Sequence, residues 1–276
     1  MGQAKPNQVK NTALITGASR GIGYALAVEL AGKGCDLYLV SLPDEQLPKI
    51  SSDLSRQFNI TINYFETNLA NQENCKLLFE DVSARSIPVN ILVNNAGIGS
   101  SGLFESFPLG FYARQLSLNI DAVVFLTHLF LPILLQSPKA YILNISSLGA
   151  FFPMPNKEVY IASKSFILSF TKSLRHRFKD SQLNISVLCP GPVNTNDRLI
   201  KANGRLSGLA KKTVMPAKEV ARIAVKGMFF GKKIIIPGRI NKLVLAINSI
   251  MPVSLRNYLI RKEMKKQANI GHELIL

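Results

Sequence analysis

The sequence predicts an α/β fold: a single doubly wound domain around a central parallel sheet, with a helical extension at its C-terminal end. Three observations predict it. Short apolar runs alternate with amphipathic stretches along the 276 residues, and such alternation implies right-handed crossovers between parallel strands. The runs are almost unbroken in apolar residues, as burial of a sheet on both faces requires. The first run ends in a glycine-rich turn that opens a helix, and such a turn can seat a pyrophosphate at the helix N-terminus.

The elements follow in order. "TALITG" (12–17) reads as the first strand, and "IGYALAVELAGKG" as a helix with Ile22, Leu26 and Leu30 at four-residue spacing and Gly34 as its stop. "CDLYLVS" is a buried strand. "LPDEQLPKISSDLSRQF" is amphipathic, with Leu47, Ile50 and Leu54 on one side, and "SLPD" reads as a capping box with Ser41 as the cap. "ITINYFET" is strand-like, "ENCKLLFEDVSAR" helical, and "NILVNNAG" a strand ending in a turn. A long helix is expected over much of 109–136. Further strands are expected at "AYILNIS" (140–146), "LNISVLCPG" (183–191) and "KKIIIPG" (232–238), with helices between them. No linker is evident, so residues 1–276 read as one domain, with a core over about 12–237 and an extension over 238–276.

Composition narrows the function classes. With 47% hydrophobic residues there is ample material for a core. The start, "MGQAKPNQVKN", has no apolar run and reads as no secretory signal. Pro6 stands where myristoylation at Gly2 would want Ser or Thr. No bilayer-length apolar stretch is evident, so no membrane span is expected. Cys35, Cys75 and Cys189 are scattered, which predicts free thiols and a cytoplasmic, reducing location. His128, His176 and His272 are equally dispersed, so neither a metal site nor a Ser-His triad is expected. The net charge of +16 is lopsided: residues 196–276 hold 17 Lys/Arg against 4 Asp/Glu.

The chemistry-bearing residues lie in "NISSLGAFFPMPNKEVYIASK" (144–164), which holds Ser147, Tyr160 and Lys164. Tyr and Lys one helical turn apart share a face. A phenol titrates near about 10 and is a poor base at neutral pH, but a close ammonium favours the phenolate. Tyr160 could then pass a proton to or from a substrate oxygen that Ser147 steadies.

With these motifs in order, the chain resembles the classical short-chain dehydrogenase/reductase family. "TGASRGIG" (16–23) matches its cofactor loop and "NNAG" (94–97) the turn after its fourth strand. Asn119 in "LNIDAVV" matches the asparagine that completes its catalytic tetrad with Ser147, Tyr160 and Lys164. "PGPVNT" (190–195) matches the turn after its sixth strand. The resemblance covers roughly residues 12–237 and implies a Rossmann-type fold and hydride transfer between a nicotinamide and a carbonyl or alcohol. It implies cofactor contacts from Gly17, Ser19, Arg20, Gly21, Ile22, Gly23, Ser41, Asn68, Leu69, Asn95, Ala96, Gly97, Tyr160, Pro190, Gly191, Val193 and Thr195. Lys164 is expected to hold the nicotinamide ribose as well, and Asn119 to place a water that links the lysine to solvent. A homodimer or homotetramer through the helices at 109–136 and 157–178 is implied too.

Two departures matter. Asn68 stands where the family often has an Asp against the adenine. The second strand ends in Ser41 and Leu42, without the acid that holds the ribose hydroxyls in NAD enzymes. Arg20 could pair with a 2′-phosphate, so NADP(H) is expected over NAD(H). Phe151, Phe152 and Met154 lie between the catalytic serine and tyrosine. They either line a pocket for an apolar ketone or alcohol, such as a ketosteroid or β-ketoacyl compound, or pack beneath the loop. The alternative to an enzyme is a nucleotide-sensing scaffold, which would be expected to lack a tetrad member. Nucleic-acid binding is disfavoured, because aromatic platforms are missing. The basic segment 238–267 reads as two short amphipathic helices. Leu243, Ile247 and Ile250 lie on the first, and Leu255, Tyr258 and Leu259 on the second, among Arg256, Arg261 and Lys262. The segment either covers the cleft or a subunit contact, or docks to an anionic membrane, an acyl carrier or a CoA-linked substrate.

Overall fold

The structure, a computed structural model, describes residues 10–195, 197–204, 208–252 and 254–255. Seven parallel strands form one sheet. They are β1 (Thr12–Thr16), β2 (Asp36–Ser41), β3 (Ile62–Glu66), β4 (Ile91–Asn94), β5 (Ala140–Ile145), β6 (Leu183–Leu188) and, last in the chain, β9 (Ile234–Ile235). Their spatial order is β3-β2-β1-β4-β5-β6-β9. Two further short strands, β7 (Val193–Asn194) and β8 (Met215–Pro216), pair with each other beyond β6. The strand order reverses between β1 and β4, which opens a crevice at their carboxyl ends.

Burial explains the strand composition. Every residue of β1, β4 and β5 is buried, whereas β3, at the sheet edge, is half-exposed along its length. On one face lie α1 (Gly21–Ala31), α2 (Leu47–Phe58) and α9 (Ala217–Phe229); Leu26, Leu30, Val220, Ala224 and Met228 join Ile15, Leu39 and Val93 in one core. On the other lie α3 (Gln72–Ala84) and α5 (Ala122–Gln136), where Leu78, Val82, Leu126, Phe130 and Leu134 pack on Leu14, Leu92 and Ile142. α4 (Leu109–Leu116) and α6 (Glu158–Arg177) stand beside them, and α7 (Asp197–Gly204), α8 (Gly208–Lys212) and α10 (Arg239–Ile250) follow β6 and β9.

A polar chain runs through the hydrocarbon. The Asn94 amide donates to Asn144 Oδ1 at 2.8 Å and to Thr127 Oγ1 at 3.2 Å, and the Asn144 amide donates to Thr171 Oγ1 at 2.9 Å. It ties β4, β5, α5 and α6 together one layer beneath the crevice.

Four expectations change. Ser41 does not cap α2: it is the last residue of β2, its hydroxyl donates to the Leu42 carbonyl, and the helix starts only at Leu47. Two positive-φ residues, Asp44 and Gln46, turn the chain in between. The long helix over 109–136 is interrupted at Ser117–Asp121 by a π-helical turn. By length and composition that run is long and apolar enough to cross a membrane, with an 18-residue stretch of mean hydropathy 2.0, contrary to the expectation from sequence. The α5 part is apolar because Leu126, Phe130 and Leu134 belong to the core. The last sheet strand is only two residues long, because Pro237 and Gly238 turn the chain into α10. Of the second expected tail helix, Ser254 and Leu255 are described; Arg256, Tyr258, Leu259, Arg261 and Lys262 lie outside the described residues. All three cysteines are buried free thiols, and burial pushes Cys35 and Cys75 up to about 11 and Cys189 to about 12, far from nucleophilic.

Candidate active site

The crevice is assembled at the carboxyl ends of β1, β4, β5 and β6. Gly17 holds φ +65° and Gly21 φ +60° in the turn after β1, a region open to glycine without strain. At Gly23 the demand is spatial: a Cβ there would stand 2.0 Å from the Gly17 carbonyl oxygen and 2.5 Å from Asn95 Nδ2. Only a hydrogen lets α1 begin this close to β1, and its first N–H groups then face the crevice. Thr16 is the hub beneath. Its Oγ1 accepts from the N–H groups of both Asn95 and Ala96 at 3.0 Å, while the Asn95 amide donates to the Thr16 and Gly17 carbonyls. The 94–97 turn and the glycine loop are therefore one unit. Thr195 closes it from the β6 side, since a Cβ on Gly21 would lie 2.9 Å from Thr195 Cβ. The Pro190 carbonyl accepts from the Leu148 N–H at 2.8 Å, which joins the turn after β6 to the segment after β5.

Ser147 follows β5 and starts a 3-10 turn, Leu148–Phe151, by accepting from the Gly149 N–H at 3.1 Å. Its hydroxyl also lies close enough to the Tyr160 phenol to favour the phenolate. Ser146 is turned away, donating to the Lys164 carbonyl at 2.6 Å. Of the two adjacent serines, only Ser147 meets the tyrosine in this way. Lys164 is buried, its ammonium donating to the Ile145 carbonyl at 3.0 Å and lying 5.9 Å from the Tyr160 ring centroid. Burial depresses its pKa to about 8. Burial also raises the Tyr160 phenol, opposed by the Ser147 hydroxyl. The expected lowering by Lys164 does not accompany it, and the ammonium is turned to the Ile145 main-chain carbonyl.

Asn119 lies in the π-helical turn and is fully buried. Its Oδ1 accepts from the Ile98 N–H at 2.9 Å, and its Nδ2 donates to the Ile98 carbonyl and to Ser163 Oγ, each at 3.0 Å. Both amide hydrogens are committed, so only Oδ1 keeps capacity for a water. Gly97 is wedged here: a Cβ on it would stand 3.0 Å from Asn119 Oδ1 and 3.4 Å from Lys164 Nζ. Two residues on, Gly99 passes the Tyr160 ring.

The remaining expected residues fall as follows. Ile22 packs on the core from α1, and Leu69 is buried on the opposite face. Asn68 is exposed after β3, its Oδ1 held by the Ala70 N–H. Val193 is buried in β7, and a Cβ on Gly191 would strike Asn241 of α10. Phe151 packs against Leu168, Val187 and Cys189, the inward of its two expected roles. Met154 lies against Gly149, and Phe152 is half-buried at the end of the 3-10 turn.

Three features escape the sequence reading. Glu45 meets the glycine loop: the Ser19 hydroxyl donates to its Oε2, and Arg20 Nη2 lies 3.0 Å from its Oε1. Phe104, Phe107, Phe111 and Tyr112 stack in one group on the segment leading from Gly99 into α4. Asn241, buried, donates to the Pro237 and Thr213 carbonyls and so docks α10 beside the β6 turn. The aromatic spacing is readable in "LFESFPLGFY"; the other two are contacts across the chain with no local pattern.

A glycine cradle before a helix N-terminus, joined at the switch point of a parallel sheet to a half-buried serine and tyrosine beside a buried lysine, defines an oxidoreductase of the nicotinamide-dinucleotide class. The chain belongs to the short-chain dehydrogenase family, whose model, described as "short chain dehydrogenase", matches residues 11–202. It is 28% identical over 250 residues to the ketoacyl reductase HetN of Nostoc sp., covering 88% of this chain and 86% of that one. It is 34% identical over 188 residues to 17-beta-hydroxysteroid dehydrogenase type 3 of Homo sapiens, covering 66% of this chain but only 59% of the human protein. A short-chain dehydrogenase from Sphingobium yanoikuyae, solved in complex with NADPH, shares the fold at a TM-score of 0.74 and 24% identity, over 88% of this chain and 97% of that one.

Proposed function

We propose that the chain is an NADP(H)-dependent carbonyl reductase or alcohol dehydrogenase for an apolar ketone or secondary alcohol. The observation that carries the reading is the approach of the Ser147 hydroxyl to the Tyr160 phenol beside buried Lys164, next to the turn that frames the glycine cradle. The nicotinamide, when bound, supplies or accepts the hydride. Tyr160 gives its phenolic proton to the carbonyl oxygen in reduction and takes it back in oxidation. Ser147 donates a hydrogen bond to that oxygen and stabilises its developing charge. Lys164 holds the ribose and, when charged, offsets the phenolate. Asn119 fixes Ile98, and through it the segment that passes Tyr160. The cradle fits a dinucleotide: Gly17 and Gly23 let the loop, α1 and the 94–97 turn close tightly together, which brings the α1 N-terminus to the crevice between Asn95 and Thr195.

The aromatic group on 104–112 supports an apolar substrate, and the named activities of the Nostoc and human relatives suggest a ketoacyl compound or a ketosteroid. Arg20, together with the absence of an acid at Ser41, supports NADP(H). Exposed Leu109, Leu116 and Phe166 on α4 and α6 support a homo-oligomer through those helices. A cytoplasmic location with peripheral contact to an anionic bilayer is the companion reading. It rests on α10, which buries Asn241 while exposing Leu243, Ile247 and Ile250 within the basic C-terminal third. NADPH oxidation measured across ketosteroids, β-ketoacyl thioesters and small aldehydes tests the central proposal. Tight NADPH binding with no turnover on any of them would favour a nucleotide-sensing scaffold instead.

A further inference from the structure

The turn between β2 and α2 holds an acid where the end of the strand has none. Asp44 and Gln46 both adopt positive φ, 64° and 57°, a conformation that residues with side chains rarely hold. Placing two such residues around one position is costly and calls for a local reason. Here it turns Glu45 back onto the glycine loop. Both of its carboxylate oxygens are engaged, one by the Ser19 hydroxyl and the other by Arg20 at 3.0 Å. The Glu45 side chain is 20% exposed and that of Arg20 70%. The carboxylate is therefore the fixed partner and the guanidinium the one free to swing. Together with Asp44, Gln46 and Ile50 they line a recess of about 270 Å³ at the edge of the cradle.

We propose that Glu45 sets this chain's choice between phosphorylated and unphosphorylated dinucleotide by competing with a 2′-phosphate for Arg20. The inference rests on the reading of Arg20 as the phosphate partner. A phosphate brought to Arg20 meets a like charge that already holds the guanidinium, and it must either displace that pair or share it. A dinucleotide without the phosphate meets no such conflict. Glu45 thus narrows the preference that Arg20 creates.

Direct titration of NADPH and NADH, followed by the fluorescence of the reduced nicotinamide, tests this in the wild type, Glu45→Gln, Arg20→Ala and the double variant. Glu45→Gln should tighten NADPH roughly three- to tenfold, the scale of an exposed ion pair plus a relieved repulsion, and leave NADH within about twofold. In the Arg20→Ala background the same change should gain far less. Unchanged NADPH affinity in Glu45→Gln would overturn the proposal. So would weaker NADH with NADPH unchanged, which would make Glu45 a ribose ligand. Arg20→Ala separates the two layers. If it leaves the NADPH-to-NADH ratio untouched, the reading of Arg20 itself fails. If it lowers that ratio while Glu45→Gln does nothing, only the competition fails.

Discussion

Lys164→Met should abolish most turnover yet change stability in a pH-dependent way. Buried Lys164 titrates at about 8 instead of its ordinary 10.5 because desolvation disfavours the ammonium. That displacement corresponds to about 3 kcal/mol against the charged form. The folded-state pKa is depressed, so the penalty on folding is fully present below pH 8 and fades as pH rises towards 10.5, where the unfolded chain also releases its proton. Removing the ammonium removes the penalty but leaves the Ile145 carbonyl without its donor, a loss of about 1–3 kcal/mol that does not depend on pH. The melting temperature of Lys164→Met relative to wild type should therefore be highest near pH 7. It should fall by about 5 °C or more by pH 10, at roughly 2 °C per kcal/mol for a chain of this size. Other titrating groups are common to both proteins and cancel in the difference. Scanning calorimetry at pH 7, 8, 9 and 10 makes the comparison. A difference that stays constant across that range would show that Lys164 is not desolvated, and the electrostatic account of the site would fall with it.

Tyr160→Phe should fold and bind cofactor but lose on the order of 100- to 10,000-fold in turnover, and single-turnover kinetics with a Phe variant near wild-type rate would end the acid–base assignment. Because burial raises the Tyr160 phenol, reduction, which needs the protonated phenol, should hold through neutral pH, while alcohol oxidation should climb on the alkaline side; a pH–rate profile with both limbs at the same pH would contradict this. Gly23→Ala should destabilise the fold by about 1–3 kcal/mol and greatly weaken dinucleotide binding, since its methyl would collide with main chain rather than with a side chain that can move; thermal melts and cofactor titration read both. The protein should sediment with anionic but not neutral vesicles at low salt, and Ile247→Glu together with Ile250→Glu on α10 should weaken that binding; vesicle binding unaffected by both charges would remove α10 from the contact.

Much of the sheet and the chemistry is legible because it is written locally. Unbroken apolar runs mark the strands, and fixed spacings mark the glycine loop and the order of Ser147, Tyr160 and Lys164. The geometry then separates Ser147 from Ser146 by the direction each hydroxyl takes. What escapes depends on contacts across the chain. Glu45 belongs to no motif; it reaches Ser19 only because the turn after Val40 and Ser41 folds back. The misreading of Ser41 as a cap has the same source, since "SLPD" satisfies the local pattern while the turn delays the helix to Leu47. Spacing places Lys164 near the phenol, but burial, which spacing does not report, governs both groups.

The buried chain Asn94–Asn144–Thr171 has a consequence for how the parts of the site are tied to one another. Apolar contact carries no fixed direction, whereas an amide hydrogen bond between two strands must keep its distance and angle. β4 carries the turn that frames the dinucleotide, β5 carries the serine, and α6 carries the tyrosine and lysine. All three are thus joined beneath the crevice by one hydrogen-bonded chain. The frame for the dinucleotide and the groups that handle the proton therefore share one polar foundation within the sheet.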